Sequence, residues 1–385
     1  MFNRVTFIIA ALSLSLLAGG CDWLGDRTPE QDGFIRFGAG SLLLQDATSP
    51  ATKAGTLKNA FDKASDDANV GVANADSFFV WGRKTVSGVP SSVFTGDKIT
   101  LKNLGSNADD PSDDVWTYTN KRFWDTGASY YDFLAFSGTP LSAVSCNPAS
   151  GGSLTATVDY DPTLSQYDIL AAFYQRAKGN AAAISTAAVH MPFQHVLSAV
   201  SVTIYNDTPN NISTPDITLN AYTFRNIVTN STGTFSQDGN ALAELSTTTW
   251  SSQAHNGLST GVLGDSTGPH VITPSSHYPT TEIWDLMIPQ ELEPFGTYTP
   301  QLYLDYKYTH VNPYTGLDED VHSPFGINLE AIHFKNSEEF ITRWEPGKKY
   351  NYEIHIRLGG GVNVTVNVTD WEEVIAETPG VTITQ

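Results

Sequence analysis

Tyr350-Asn351-Tyr352-Glu353-Ile354-His355-Ile356-Arg357-Leu358, then Gly359-Gly360-Gly361, then Val362-Asn363-Val364-Thr365-Val366-Asn367-Val368-Thr369: this run decides the fold class. On each side of the glycines an apolar residue alternates with a polar one, the period-two spacing that sends successive side chains to opposite faces of a strand. The glycines supply the turn. A β-hairpin is therefore predicted, with a tyrosine, isoleucine and valine face buried and the other face in water.

The same alternation recurs upstream. Leu302, Leu304, Tyr306 and Tyr308 alternate with Tyr303, Asp305, Lys307 and Thr309, and Val200, Val202 and Ile204 with Ser201, Thr203 and Tyr205. Gly, Pro, Asn and Asp turns separate such segments, and no amphipathic helix longer than about three turns is apparent, so the predicted fold is all-β and built from sandwiches. A chain of 385 residues is long for one sandwich, and two tandem β-sandwich domains are expected, residues 54–188 and 189–385. The division is placed near Ala188, after the Ala-rich segment Ala181 to Ala188.

The first residues have a different character. Arg4 is followed by an apolar run from Val5 to Leu17 and by Ala18, Gly19 and Gly20 directly before Cys21, the pattern of a signal peptide over residues 1–20. An apolar run of about 13 residues is too short to span a bilayer core that needs roughly 20. A cleavage site ending on cysteine resembles the lipobox of bacterial lipoproteins, with Ala18 where Leu is commonest. Cys21 is thus expected to carry lipid and to attach the exported chain to the outer membrane. A polar tether, Asp22 to Asp32, follows. Next comes a first strand, Gly33 to Leu44, with Ile35, Phe37, Ala39 and Leu43 on one face, and then a loop, Gln45 to Thr56, that contains Lys53.

Composition narrows the function. The net charge of −20 repels nucleic acid, which is excluded as a partner. Only 16% of residues are charged, and Thr, Ser, Asn and Gly abound, a balance suited to an extracellular β protein. Of the two cysteines, an acylated Cys21 leaves Cys146 without an intramolecular partner, so the fold must rest on its hydrophobic core.

Catalytic patterns are lacking. His190 and His195 are five apart, off the spacing of a zinc helix, and read as structural histidines. No G-x-S-x-G elbow or phosphate-binding glycine motif occurs. The acidic clusters Asp109-Asp110 with Asp113-Asp114, and Asp318-Glu319-Asp320, have the oxygen chemistry of a calcium loop without its spacing, and solvated loops are the simpler reading. Trp81, Trp116, Trp124, Trp250 and Trp284 leave two readings open, sugar-stacking surfaces or core packing. No cofactor, metal site or enzymatic activity is expected.

Five segments together resemble the fimbrillin superfamily, the subunits of Bacteroidia-type (type V) pili. They are Tyr167-Asp168-Ile169-Leu170-Ala171-Ala172, Phe193-Gln194-His195-Val196-Leu197-Ser198-Ala199-Val200, Met287-Ile288-Pro289-Gln290, Trp344-Glu345-Pro346-Gly347-Lys348-Lys349-Tyr350-Asn351-Tyr352 and Val366-Asn367-Val368-Thr369-Asp370-Trp371. The resemblance implies two transthyretin-like β-sandwich domains, export as a lipoprotein, and assembly into a cell-surface fimbrium by donor-strand exchange with other pilin subunits. It further implies that a trypsin-like protease removes the tether and first strand after a basic residue. Lys53-Ala54 stands in that place, where family members often have Arg. Arg36 is also basic but lies inside the expected strand.

Excision of residues 21–53 would strip Ile35, Phe37, Ala39 and Leu43 from the core and leave a groove with unpaired strand edges, a template for another strand. Refilling it with three or four apolar side chains is worth roughly 5–10 kcal/mol, less the ordering of the incoming strand. The candidate donor is Glu372 to Gln385, where Val381 and Ile383 alternate with Thr382 and Thr384. Such a head-to-tail contact does not close on itself and gives a filament. The alternatives are a tip adhesin, or an outer-membrane lipoprotein that binds glycans or host ligands.

Overall fold

The computed structural model describes residues 34–41, 77–103, 114–177, 188–209, 215–236, 247–255, 263–280, 283–312, 314–358 and 361–370. The fold is all-β, as expected, and the described residues contain no α-helix. The first strands are β1 (Phe37–Ser41), β2 (Ser77–Val86), β3 (Val89–Asn103), β4 (Asp114–Thr117), β5 (Tyr130–Ser137), β6 (Val144–Cys146), β7 (Thr155–Tyr160), β8 (Leu170–Ala177) and β9 (Val189–His195). Seven of them close into a barrel in the order β1-β4-β3-β2-β5-β8-β9, sealed by the parallel pair β1–β9.

Sequence dictates the wall of this barrel. In β2, Phe78 and Val80 point into it, while Phe79 and Trp81 point outward into a second core. In β5, Tyr131, Phe133 and Ala135 face in, and Leu134 and Phe136 face out. In β8, Leu170 and Ala172 face in, and Ala171 and Phe173 face out. A wall apolar on both faces must be covered twice. The outer cover is a four-stranded sheet, β13-β12-β7-β6, in which β12 (Val228–Ser236) and β13 (Thr247–His255) come from far along the chain. A charged patch on the wall is also covered. Arg83 and Asp132 form a buried ion pair at 2.6 Å, Gln175 donates to the other carboxylate oxygen at 2.7 Å, and Arg83 Nη1 donates to the Ser150 carbonyl at 3.2 Å.

The remaining strands are β10 (Ser198–Asn206), β11 (Ile217–Arg225), β14 (Gly264–Asp265), β15 (His270–Ile272), β16 (His277–Tyr278), β17 (Trp284–Met287), β18 (Gln290–Glu291), β19 (Gln301–Val311), β20 (Asp318–His322), β21 (Phe325–Asn328), β22 (His333–Phe334), β23 (Arg343–Trp344), β24 (Lys348–Arg357) and β25 (Gly361–Asp370). They form a sandwich. One sheet runs β16-β10-β24-β25-β22 with β17 also on β10, and the other runs β14-β11-β19-β20 with β15 on β11 and β21 on β19. Between them lies a third core that includes Val200, Val202, Ile204, Leu302, Leu304, Tyr306, Tyr350, Tyr352, Ile354 and Ile356. The hairpin is present, with Tyr352 opposite Val366 and Ile354 opposite Val364, and Gly361 is the first residue of its second strand. A bulge after Leu219 shifts the parity of β11, so Ile217 and Leu219 are followed in the core by Tyr222 and Phe224.

The sheets run across residue 188. It falls between β8 and β9, which pair in the barrel, and β12 pairs with β7 from Ser231 opposite Tyr160 to Ser236 opposite Thr155. Strand β9 thus completes the first sheet system, and hydrogen bonding ties the two halves of the chain together.

Gly138, directly after β5, has φ +76°, and a Cβ there would lie 1.9 Å from the Asp168 carbonyl oxygen. Gly138→Ala combines overpacking, about 1–3 kcal/mol, with a left-handed backbone, about 1–2 kcal/mol. The urea midpoint is expected to fall sharply at unchanged m-value; an unchanged midpoint would contradict the packing described.

Candidate functional site

The described part of the predicted first strand is paired on both edges. β1 runs parallel to β9, from Phe37 opposite Val189 to Ser41 opposite Phe193, and meets β4 where Phe37 lies opposite Trp116. Just before it, the Ile35 N–H donates to the Arg122 carbonyl at 2.8 Å, and the Val189 N–H donates to the Arg36 carbonyl at 2.7 Å. The Tyr118 hydroxyl donates to the Ile35 carbonyl at 2.6 Å and accepts the Arg122 N–H at 3.2 Å. Burial raises the Tyr118 pKa, which keeps this donor protonated. The Arg122 side chain fixes the clamp to β3 by donating to the Val93 carbonyl at 3.0 Å and meeting Asp97 at 3.4 Å.

Ile35 and Phe37 are 0% and 5% exposed. The Phe37 ring is met edge to face by Phe78, Phe94, Tyr118 and Phe133, with centroids at 6.2, 5.3, 6.0 and 5.6 Å. Burial of the two side chains is worth about 3–6 kcal/mol, to which aromatic geometry adds. Arg36 is half-buried, with its guanidinium 4.7 Å from the Phe34 ring centroid. Ala39 sits in β1 opposite Met191. The Ala39 side chain, Leu43, Cys21, Lys53, Ala54, Val381 and Ile383 lie outside the described residues. Tyr118, Arg122 and the aromatic ring set carry no local sequence signal, because each lies at least 41 residues along the chain from Phe37.

The other candidates have structural roles. His195 Nδ1 lies 2.9 Å from Asp168 Oδ2, both buried where β8 meets β9, and the His190 backbone pairs with β1 while its side chain is outside the described set. Asp318-Glu319-Asp320 form edge strand β20, with Asp320 bonded to Lys307 and Thr309, each at 2.8 Å. Such a charged edge discourages further strand pairing. Trp81 and Trp116 are buried; Trp124 packs on the barrel core, and Trp250 and Trp284 pack on the second core. In an open cleft that includes Asp207, Arg357 and Asn363, Tyr205 and His355 stack at 4.5 Å with 4° between their planes. Each ring thereby covers one face of the other, and that much ring surface is withdrawn from sugar stacking. Cys146 is half-buried against the second core, and burial pushes its thiol up to about 12.

Two measurements follow. In the uncut chain Phe37→Ala is expected to cost about 3–5 kcal/mol and Tyr118→Phe about 1 kcal/mol in urea unfolding, and equal effects would refute the ranking. Iodoacetamide at pH 8 should label Cys146 at least about tenfold more slowly in the folded chain than in urea, because the thiolate is the nucleophile.

Residues 63–371 match the protein family described as fimbrillin-like. No curated protein sequence matches the chain. Among solved structures, a fimbrial protein from Bacteroides vulgatus is 14% identical over 89% of this chain and 100% of its own, with a TM-score of 0.49. The tip fimbrial protein Mfa3 from Porphyromonas gingivalis, solved with a C-terminal truncation, is 12% identical over 77% of this chain and 94% of its own, with a TM-score of 0.32. The family match takes in β2 through β25, and the chain belongs to the fimbrillin-like family.

Proposed function

We propose that the chain is a structural subunit of a cell-surface fimbrium that supports adhesion, exported as an outer-membrane lipoprotein on Cys21 and assembled by strand exchange after a protease cuts at Lys53-Ala54. One observation supports this reading above the others. β1 fills a barrel position between β4 and β9, yet a cut after Lys53 would separate it covalently from every later strand. Only hydrogen bonds and packing would then hold it. Its departure would expose the edges of β4 and β9 and the rings around Phe37, the conditions under which a strand from another subunit can add. Val381 and Ile383 are the candidate donor positions. The role is non-enzymatic, with other pilin subunits and the processing protease as partners.

Recombinant chain beginning at residue 22 is expected to be monomeric until trypsin cuts after Lys53, and then to polymerise. Gel filtration and electron microscopy read the polymer, and N-terminal sequencing should find Ala54 on the subunit. A cut chain that has lost residues 22–53 yet stays monomeric would overturn the shaft-subunit reading, and a lipidated Cys21 on all mature protein from cells would overturn processing.

A further inference from the structure

We infer that the β1 position selects its replacement by an aromatic ring at the Phe37 place, two residues from a branched aliphatic at the Ile35 place, and is filled by a strand of a different subunit in preference to residues 372–385 of a second copy. The inference rests on the strand-exchange reading above and specifies the chemistry of the incoming strand. Four aromatic rings meet the Phe37 ring at interplanar angles of 67–88°. Those walls are themselves packed. Phe78 also meets Trp116 at 4.9 Å and Phe193 at 5.2 Å, and Phe133 lies parallel to Tyr131.

Gly82 sets their positions. A Cβ there would lie 2.9 Å from Phe133 and 3.0 Å from Phe94, so the lack of a side chain gives both rings their place. A space bounded by interlocked rings collapses poorly around a smaller occupant, and the void left behind is costly.

Residues 372–385 fill it less well. They read Glu-Glu-Val-Ile-Ala-Glu-Thr-Pro-Gly-Val-Thr-Ile-Thr-Gln and contain no Phe, Tyr or Trp, the last such residue before them being Trp371. Val381 and Ile383 have the i, i+2 spacing of Ile35 and Phe37 and suit the aliphatic place, but at the ring place either leaves several carbon atoms unreplaced. A single missing methylene in an apolar pocket weakens binding by about tenfold or more. The ring place therefore calls for Phe, Tyr or Trp.

The test uses chain cut after Lys53, separated from residues 22–53, and labelled peptides read by fluorescence anisotropy. The peptides are residues 33–45, residues 372–385, and residues 372–385 carrying Ile383→Phe or Val381→Phe, one for each strand direction. Residues 33–45 and at least one Phe variant are expected to bind at least tenfold tighter than the unaltered 372–385 peptide. If 372–385 binds as tightly as both variants while 33–45 also binds, the selectivity is overturned and strand exchange stands. If 33–45 fails to bind, strand exchange falls and takes the selectivity with it. Phe37→Leu in the uncut chain gives a second reading, since release of the cut segment should then be at least tenfold faster, and an unchanged release rate would overturn the ring requirement.

Discussion

Strands β2, β5 and β8 bury side chains on both faces, and this constraint propagates through the molecule. Phe78, Val80, Phe133 and Ala135 need a closed barrel on one side, and Trp81, Leu134, Phe136 and Phe173 need a second layer on the other. A single two-layer sandwich covers a sheet on one face only. The second cover takes β12 and β13 from beyond the barrel, so the chain must return to its first half after starting the sandwich. The long-range pairing of β7 with β12, the buried Arg83–Asp132 pair with its acceptor on the covering loop, and the His195–Asp168 pair at the β8–β9 junction all belong to that arrangement.

The opposite side of the barrel is built differently. There the seal is β1, a short strand held by ladder bonds to β4 and β9, the Tyr118–Arg122 clamp, and two buried side chains. The doubly covered wall cannot give up a strand without opening two cores. The β1 position opens one. Among the described strands, β2, β5 and β8 contribute side chains to two cores, whereas Phe37 of β1 packs in the barrel core.

What was legible in the sequence follows from the same geometry. The β24–β25 hairpin announces itself because one of its faces meets water, so Tyr352, Ile354, Val364 and Val366 alternate with polar residues. Ile35 and Phe37 were legible in the same way. Phe133-Leu134-Ala135-Phe136 was not, because a strand apolar on both faces shows no parity. In β11 the bulge after Leu219 breaks the period, and a two-residue rule loses Tyr222 and Phe224. The Phe37 pocket was invisible locally, since Phe94, Tyr118 and Phe133 come from three separate strands or loops and converge only when the barrel closes. The run of the sheets across residue 188 was hidden for the same reason. A composition shift marks a linker, but nothing in Ala181 to Ala188 reports that Ser231 to Ser236 will pair with Thr155 to Tyr160.

Under the proposed exchange, the same contacts must hold β1 before the cut and release it afterwards, and covalent linkage supplies the difference. While residues 42–76 connect β1 to β2, the strand meets its position at an effective concentration of order millimolar. After the cut it binds as a separate segment at its bulk concentration. A fall from about millimolar to about micromolar is worth roughly 4 kcal/mol, comparable to the packing of Ile35 and Phe37 together. The clamp can therefore be strong enough to fold the precursor with its core sealed and weak enough to be displaced once severed. No conformational change elsewhere is required. The cut converts an intramolecular strand into a competitor, and the incoming strand prevails by fitting the ring pocket at least as well while remaining attached to its own folded subunit.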